Sequence, residues 1–267
     1  MLGNSTMDNR SAASPRLGKE RFHAAGASGA TRAATRIRAP EALRLLLLGL
    51  SAILYPHLPM VGTLWQSVAL GASAGLAAGT CAWRALSLIP RGTNTSLTPC
   101  ATATALLWSA AAVGRHYGVL PDRWFPVVTF LVWLAVPLTI VDLRHRRLPN
   151  ALTLPAFPVA AALIAFAAPS ALVLCNALLG AVLLTTFHAL IHLTAPAALG
   201  MGDVKLAPTL GAILGAADLH TLPTALLIAA MATLALHRLH RPQWRTGIPH
   251  GPGLLAATIV LAVLNHP

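Results

Sequence analysis

Runs of about twenty apolar residues recur from residue 42 to the end of the chain, the length a helix needs to cross a hydrocarbon layer. Nine such segments can be drawn: 42–59, 61–83, 97–118, 124–142, 151–168, 171–194, 204–217, 221–237 and 252–266. Segment 204–217 is short for a full span, which points to a piece that is tilted, extended through the next loop or partly re-entrant. With 56% hydrophobic and only 10% charged residues, the chain is too apolar for an ordinary soluble domain. The expected fold is an all-α integral membrane protein, a polytopic helix bundle of about nine transmembrane segments.

The basic residues test that count. With the N-terminus cytoplasmic, stretches 1–44, 84–99, 142–150, 200–205 and 238–250 face inward. They hold all of the 19 Lys and Arg except Arg115 and Arg123. This asymmetry favours nine segments with a cytoplasmic N-terminus. It also explains the net charge of +12 without a nucleic-acid partner. Residues 1–40, rich in Ser, Ala, Gly and Arg, read as a disordered basic tail that stays attached. Cys81, Cys100 and Cys175 form no Cys-x-x-Cys pair, so neither a disulfide framework nor a thiolate metal site is expected. They read as small apolar packers.

The chain has only seven acidic residues, and an acid at a lipid boundary is expensive unless it is used. Asp142 opens Asp142-Leu143-Arg144-His145-Arg146-Arg147-Leu148-Pro149-Asn150 at the end of the fourth segment. A bland role would be a helix end neutralised by its arginines. Pro149-Asn150 stops that helix, and Asn150 is suited to cap the next. Asp203 lies in Gly200-Met201-Gly202-Asp203-Val204-Lys205-Leu206, at the start of the seventh segment. Its bland role is an N-cap. Gly200 and Gly202 strip side chains from a tight turn, so that another helix can approach. Both aspartates fall on the same predicted face, whereas Asp122 and Asp218 fall on the other. Two adjacent carboxylates can share a proton and activate water, and this points to aspartic-peptidase chemistry. Which of the two would be the base is not legible in sequence.

A third motif, Gly247-Ile248-Pro249-His250-Gly251-Pro252-Gly253-Leu254, opens the last segment. Its prolines and glycines specify irregular backbone, which at membrane depth lines a cavity or packs on protein. A plain helix-start turn is the simpler reading. His188 and His192 share a face of the sixth segment but lack the Glu of a His-Glu-x-x-His zinc site. Polar packing is the better reading, and no metal or other cofactor is expected. His237 and His240, with Arg238, Arg241 and Arg245, read as a solvated basic loop.

Together these motifs resemble the type IV prepilin peptidases. That family carries an aspartate followed by a polar stretch ending in Pro-Asn, then Gly-x-Gly-Asp-x-Lys-Leu, then an Ile-Pro-Phe-Gly-Pro-like element. Asp142, Pro149 and Asn150 match the first, and Gly200, Gly202, Asp203, Lys205 and Leu206 the second. The second continues in family style through Gly211 and Gly215. Pro249, Gly251 and Pro252 match the third, with His250 where the family usually has phenylalanine. The resemblance covers roughly 124–267. It implies a six-helix peptidase core at 121–267, with Asp142 and Asp203 as the catalytic pair. It further implies prepilin or pseudopilin substrates that lose a short basic leader at the cytoplasmic face of the cell membrane. Many bacterial members also methylate the new N-terminus using a loop with paired Cys-x-x-Cys motifs. This chain has none, so methylation is not expected. Residues 41–120 would be three additional membrane helices of unassigned role, and lipid is the remaining expected partner.

Two other classes compete. A transporter or proton-relay protein would hold acids near mid-helix and show an internal repeat, neither of which is seen. An inactive scaffold would have little reason to keep both aspartates and the glycine turn. A presenilin-like intramembrane protease shares the Gly-x-Gly-Asp logic, but Pro149-Asn150 and Lys205-Leu206 favour the prepilin type.

Overall fold

The computed structural model describes Arg44 and residues 63–88, 96–196, 199–239 and 249–267. Among these, every regular element is a helix: α1 (Leu64–Leu88), α2 (Leu97–His116), α3 (Phe125–His145), α4 (Asn150–Ala167), α5 (Ala171–Thr194), α6 (Met201–Ala217), α7 (Thr221–Leu239) and α8 (Gly251–Leu264). Most boundaries fall within a few residues of the expected ones, although α1 runs five residues past the expected end. The expected segment 42–59 and the expected disordered tail 1–40 lie outside the described residues, apart from Arg44. The described residues fall within one unit, Ala39–Pro267.

Among the described residues, five helices are long and apolar enough to cross a membrane: Leu97–His116, Phe125–His145, Asn150–Ala167, Ala171–Thr194 and Thr221–Arg238. Their outer faces carry bare apolar side chains, among them Leu106, Leu154, Leu172, Leu178 and Leu227. Apolar surface on this scale is the mark of a helical membrane protein. Cys175 belongs to that outer face and is exposed, contrary to the packing role expected of it, whereas Cys100 is buried as expected. The free thiol suits lipid contact as well as a small apolar residue does.

The middle of the bundle is α3, hydrophobic all round and almost wholly buried, as a helix without a polar face must be. Indole N–H groups tie it to its neighbours. Trp108 of α2 donates to the Thr129 carbonyl at 3.0 Å, and Trp133 of α3 donates to the Ala78 carbonyl of α1 at 3.1 Å. Trp124, just before α3, donates to the Ala262 carbonyl of α8 at 2.7 Å. Each bond satisfies a polar group that burial would otherwise strand.

The second buried helix is α6, which is continuous from Met201 and shows no re-entrant break. It lies against α5 along a seam of glycines. Gly180 faces Gly211 and Gly215, and a Cβ on any of these three would run into backbone of the facing helix. Small residues spaced by four allow such backbone approach in membranes. A similar seam, Gly71, Gly75 and Gly79, presses α1 onto α2.

Candidate active site

Three polypeptide ends meet at one pole of the bundle: the last turn of α3 and the first turns of α6 and α8. Asp142 sits in that last turn of α3, and its main-chain carbonyl accepts the Arg146 N–H at 2.8 Å. Arg146 ends the helix in a left-handed conformation (φ 50°, ψ 40°). The chain then runs through Leu148 to Pro149, which is the N-cap of α4.

Asn150 does not cap α4 as expected. It is the first helical residue and makes no cap bond; its Oδ1 accepts a hydrogen bond from Lys205 Nζ of α6 at 3.0 Å. Nor is Asp203 an N-cap. Gly200 holds that place, and Asp203 is the third helical residue, accepting the Gly200 N–H with its carboxylate. This is the reach-back half of a capping box, which turns the carboxylate inward over the helix start. Gly202 receives the Leu148 side chain, which a Cβ there would meet at 2.9 Å. The neighbour that closes on this turn is therefore the loop after α3 rather than another helix.

At the start of α8, Pro249 is buried, His250 is the N-cap, Gly251 is the first helical residue and Pro252 the second. Gly247 and Ile248, which begin the motif, and the basic-loop residues His240, Arg241 and Arg245 lie outside the described residues. The Gly251 N–H donates to the Asp142 carboxylate. A Cβ on Gly251 would stand 2.9 Å from Asp142 Oδ2 and 3.3 Å from Asp203 Oδ1. The two carboxylate oxygens therefore converge on one point and cannot be farther apart than these two distances together. Only glycine leaves that point open.

Both carboxylates are buried, Asp142 with 7% and Asp203 with 9% of its surface exposed, whereas Asp122 and Asp218 are exposed. Asp122 precedes α3 and Asp218 follows α6, each at the opposite end of its helix from the buried pair. Asp203 Oδ1 is buried with no hydrogen-bond partner among the described residues. A buried carboxylate oxygen left unpaired is costly and calls for a functional explanation. The N-terminus of α8 faces the pair, and its dipole favours negative charge there.

Beside this pole lie four polar side chains, His188, His192, Thr233 and His250, whose contacts sequence reasoning did not foresee. His188 Nδ1 donates to the Leu184 carbonyl at 2.9 Å, and its ring centroid is 6.0 Å from that of His250. His192 Nδ1 donates to the Leu199 carbonyl at 2.8 Å. Thr233 Oγ1 of α7 lies 3.1 Å from His250 Nδ1. Burial, and after it the neighbouring His188, push the His250 imidazole down to about 4, so the ring is neutral at ordinary pH. No cluster of three or more His, Cys, Asp or Glu suited to a metal ion occurs among the described residues.

Residues 129–237 match the type IV leader peptidase family model, the same family the motifs resemble. The match takes in both buried aspartates and ends before α8, so Gly251 and its neighbours stand outside it. No curated protein and no solved structure matches the chain.

Proposed function

We propose that this chain, a helical membrane protein with a type IV leader peptidase segment at 129–237, is an aspartic endopeptidase of prepilin-like proteins. It removes their leader peptides at the cytoplasmic face of the cell membrane. The observation that carries the reading is the convergence of Asp142 and Asp203 on Gly251, with Asp203 Oδ1 unpartnered among the described residues.

Two carboxylates this close resist joint ionisation, so one keeps its proton and the other is charged. The charged one takes a proton from water as the water oxygen bonds to the scissile carbonyl carbon. The protonated one hydrogen-bonds the carbonyl oxygen and gives it its proton as charge develops there. A tetrahedral diol forms with no covalent bond to the enzyme. In its collapse the C–N bond breaks as the newly protonated carboxyl gives its proton to the leaving amine and the other takes one from a diol hydroxyl, which returns the pair to its shared-proton state. Gly251 serves by absence and by presence: it has no side chain to block the water, and its N–H holds Asp142.

The rest of the reading is a nine-segment topology with the N-terminus inside. Residues 121–267 form the peptidase core and 41–120 three further helices. The placement of Lys and Arg supports it. The substrates are prepilins or pseudopilins with basic leaders, and methylation of the product is not expected of this protein.

The test uses membranes containing this protein and a prepilin from the same genome, with leader removal followed by mass. Loss of the leader only when the protein is present supports the reading. No cleavage of any prepilin from that genome, with proton flux across proteoliposomes instead, favours the transport reading.

A further inference from the structure

We infer that Thr233 and His250 form a side-chain tether that positions the Gly251 N–H on Asp142, making both positioning residues for the peptidase reaction. The inference rests on the dyad reading above and ties Thr233, near the end of the matched family segment, to His250 and Gly251 beyond it.

The bond forms with either tautomer of the ring. With the hydroxyl proton on the Ala229 carbonyl, 2.7 Å away, Thr233 Oγ1 accepts from His250 Nδ1–H; with it on His250 Nδ1, 3.1 Å away, the ring accepts instead. The bond therefore links the N-cap residue of α8 to the middle of α7. On its other side the ring lies beside His188 of α5, which is itself held by the Leu184 carbonyl. A phenylalanine, usual here in the family the motifs resemble, has no ring nitrogen and cannot make this bond.

The tether acts on the dyad through a short, stiff path. The His250–Gly251 peptide unit is planar and carries the N–H that Asp142 accepts. Pro249 and Pro252 flank it, each with a fixed φ, and Pro252 also restricts Gly251. Once the His250 ring is anchored, few torsions remain by which the Gly251 N–H could turn from the carboxylate. The Leu254 N–H bond to the His250 carbonyl, 3.2 Å, continues the same rigid unit into α8.

The test compares Thr233→Val, which keeps shape and loses the hydroxyl, with Thr233→Ser, which keeps the hydroxyl. His250→Phe and the Thr233→Val/His250→Phe double variant complete the cycle, all in the full-length protein. Two readouts are taken: hydrogen–deuterium exchange of the Gly251 amide, and kcat and KM for prepilin cleavage. Thr233→Val should speed exchange and lower kcat, each about fivefold, with KM unchanged, as expected for one ordinary hydrogen bond. Thr233→Ser should restore both to within about twofold. The double variant should be no worse than His250→Phe alone. Unchanged Gly251 exchange in Thr233→Val, or additive losses in the double variant, overturns the tether. If exchange responds as expected while the wild type cleaves no prepilin, the tether stands and the peptidase reading is what fails.

Discussion

Lys205 Nζ on α6 donates to Asn150 Oδ1 on α4 at 3.0 Å, joining two motifs that stand 55 residues apart in the chain. Asp142 lies upstream of Asn150 on the same connection, and Asp203 lies two residues before Lys205. The bond is thus a clasp between the two strands of chain that carry the carboxylates. It is charge-assisted but solvent-exposed, which limits its worth to that of a surface contact. Asn150→Ala and Lys205→Met should each reduce cleavage about two- to fivefold, and the double variant should be little worse than either single one. Initial rates of leader removal check this, and additive losses would show that the two residues act apart.

Gly251 should be far less tolerant. In Gly251→Ala the new methyl would stand 2.9 Å from Asp142 Oδ2 and 3.3 Å from Asp203 Oδ1, so the carboxylates must move apart. Displacement by even about 1 Å at reacting groups can cost on the order of a hundredfold in rate. Activity should fall by about that factor with the melting temperature nearly unchanged. Gly114→Ala is the control, because nothing there comes nearer than 3.8 Å and activity should persist.

The α5–α6 seam makes a prediction about stability. A side chain at Gly211 would enter the Gly180 carbonyl, and one at Gly180 would enter that of Gly211. Gly211→Val and Gly180→Val should each destabilise the protein by at least about 1–3 kcal/mol, the usual range for overpacking. Thermal unfolding in detergent measures this. Because α6 carries Asp203, cleavage should decline in step with folded protein.

Much of this was legible in sequence, because the charges that matter are so few. With seven acids in the chain and two of them inside motifs on one predicted face, the pairing of Asp142 and Asp203 followed from topology alone. Side-chain partners were not legible. Asn150 looked like a helix cap because its type and its place after Pro149 fit one, yet Lys205 supplies a stronger donor than backbone N–H groups do. The lesser reading of Asp203, a plain N-cap, does not hold, because Gly200 takes that place and leaves the carboxylate at the third helical position. The Gly71-x-x-x-Gly75-x-x-x-Gly79 spacing was a readable signal of close helix approach and went unused. Thr233 lies in no motif, and the motif that holds His250 does not name its partner, since only the fold brings α7 over the start of α8.

A shared proton also predicts a pH signature. Cleavage needs one carboxyl protonated and one ionised, so rate should trace a bell against pH, with limbs that belong to the pair. The pH profile of kcat/KM checks this, and a single-limbed profile would indicate that one carboxylate acts alone.

The most direct measurement is leader removal from a cognate prepilin by the wild type, Asp142→Asn and Asp203→Asn, each shown by thermal unfolding to be folded. The dyad account predicts that the wild type cleaves and that each variant loses at least about a thousandfold in rate, because neither carboxyl can do the other's work. Cleavage near the wild-type rate by either folded variant would contradict it.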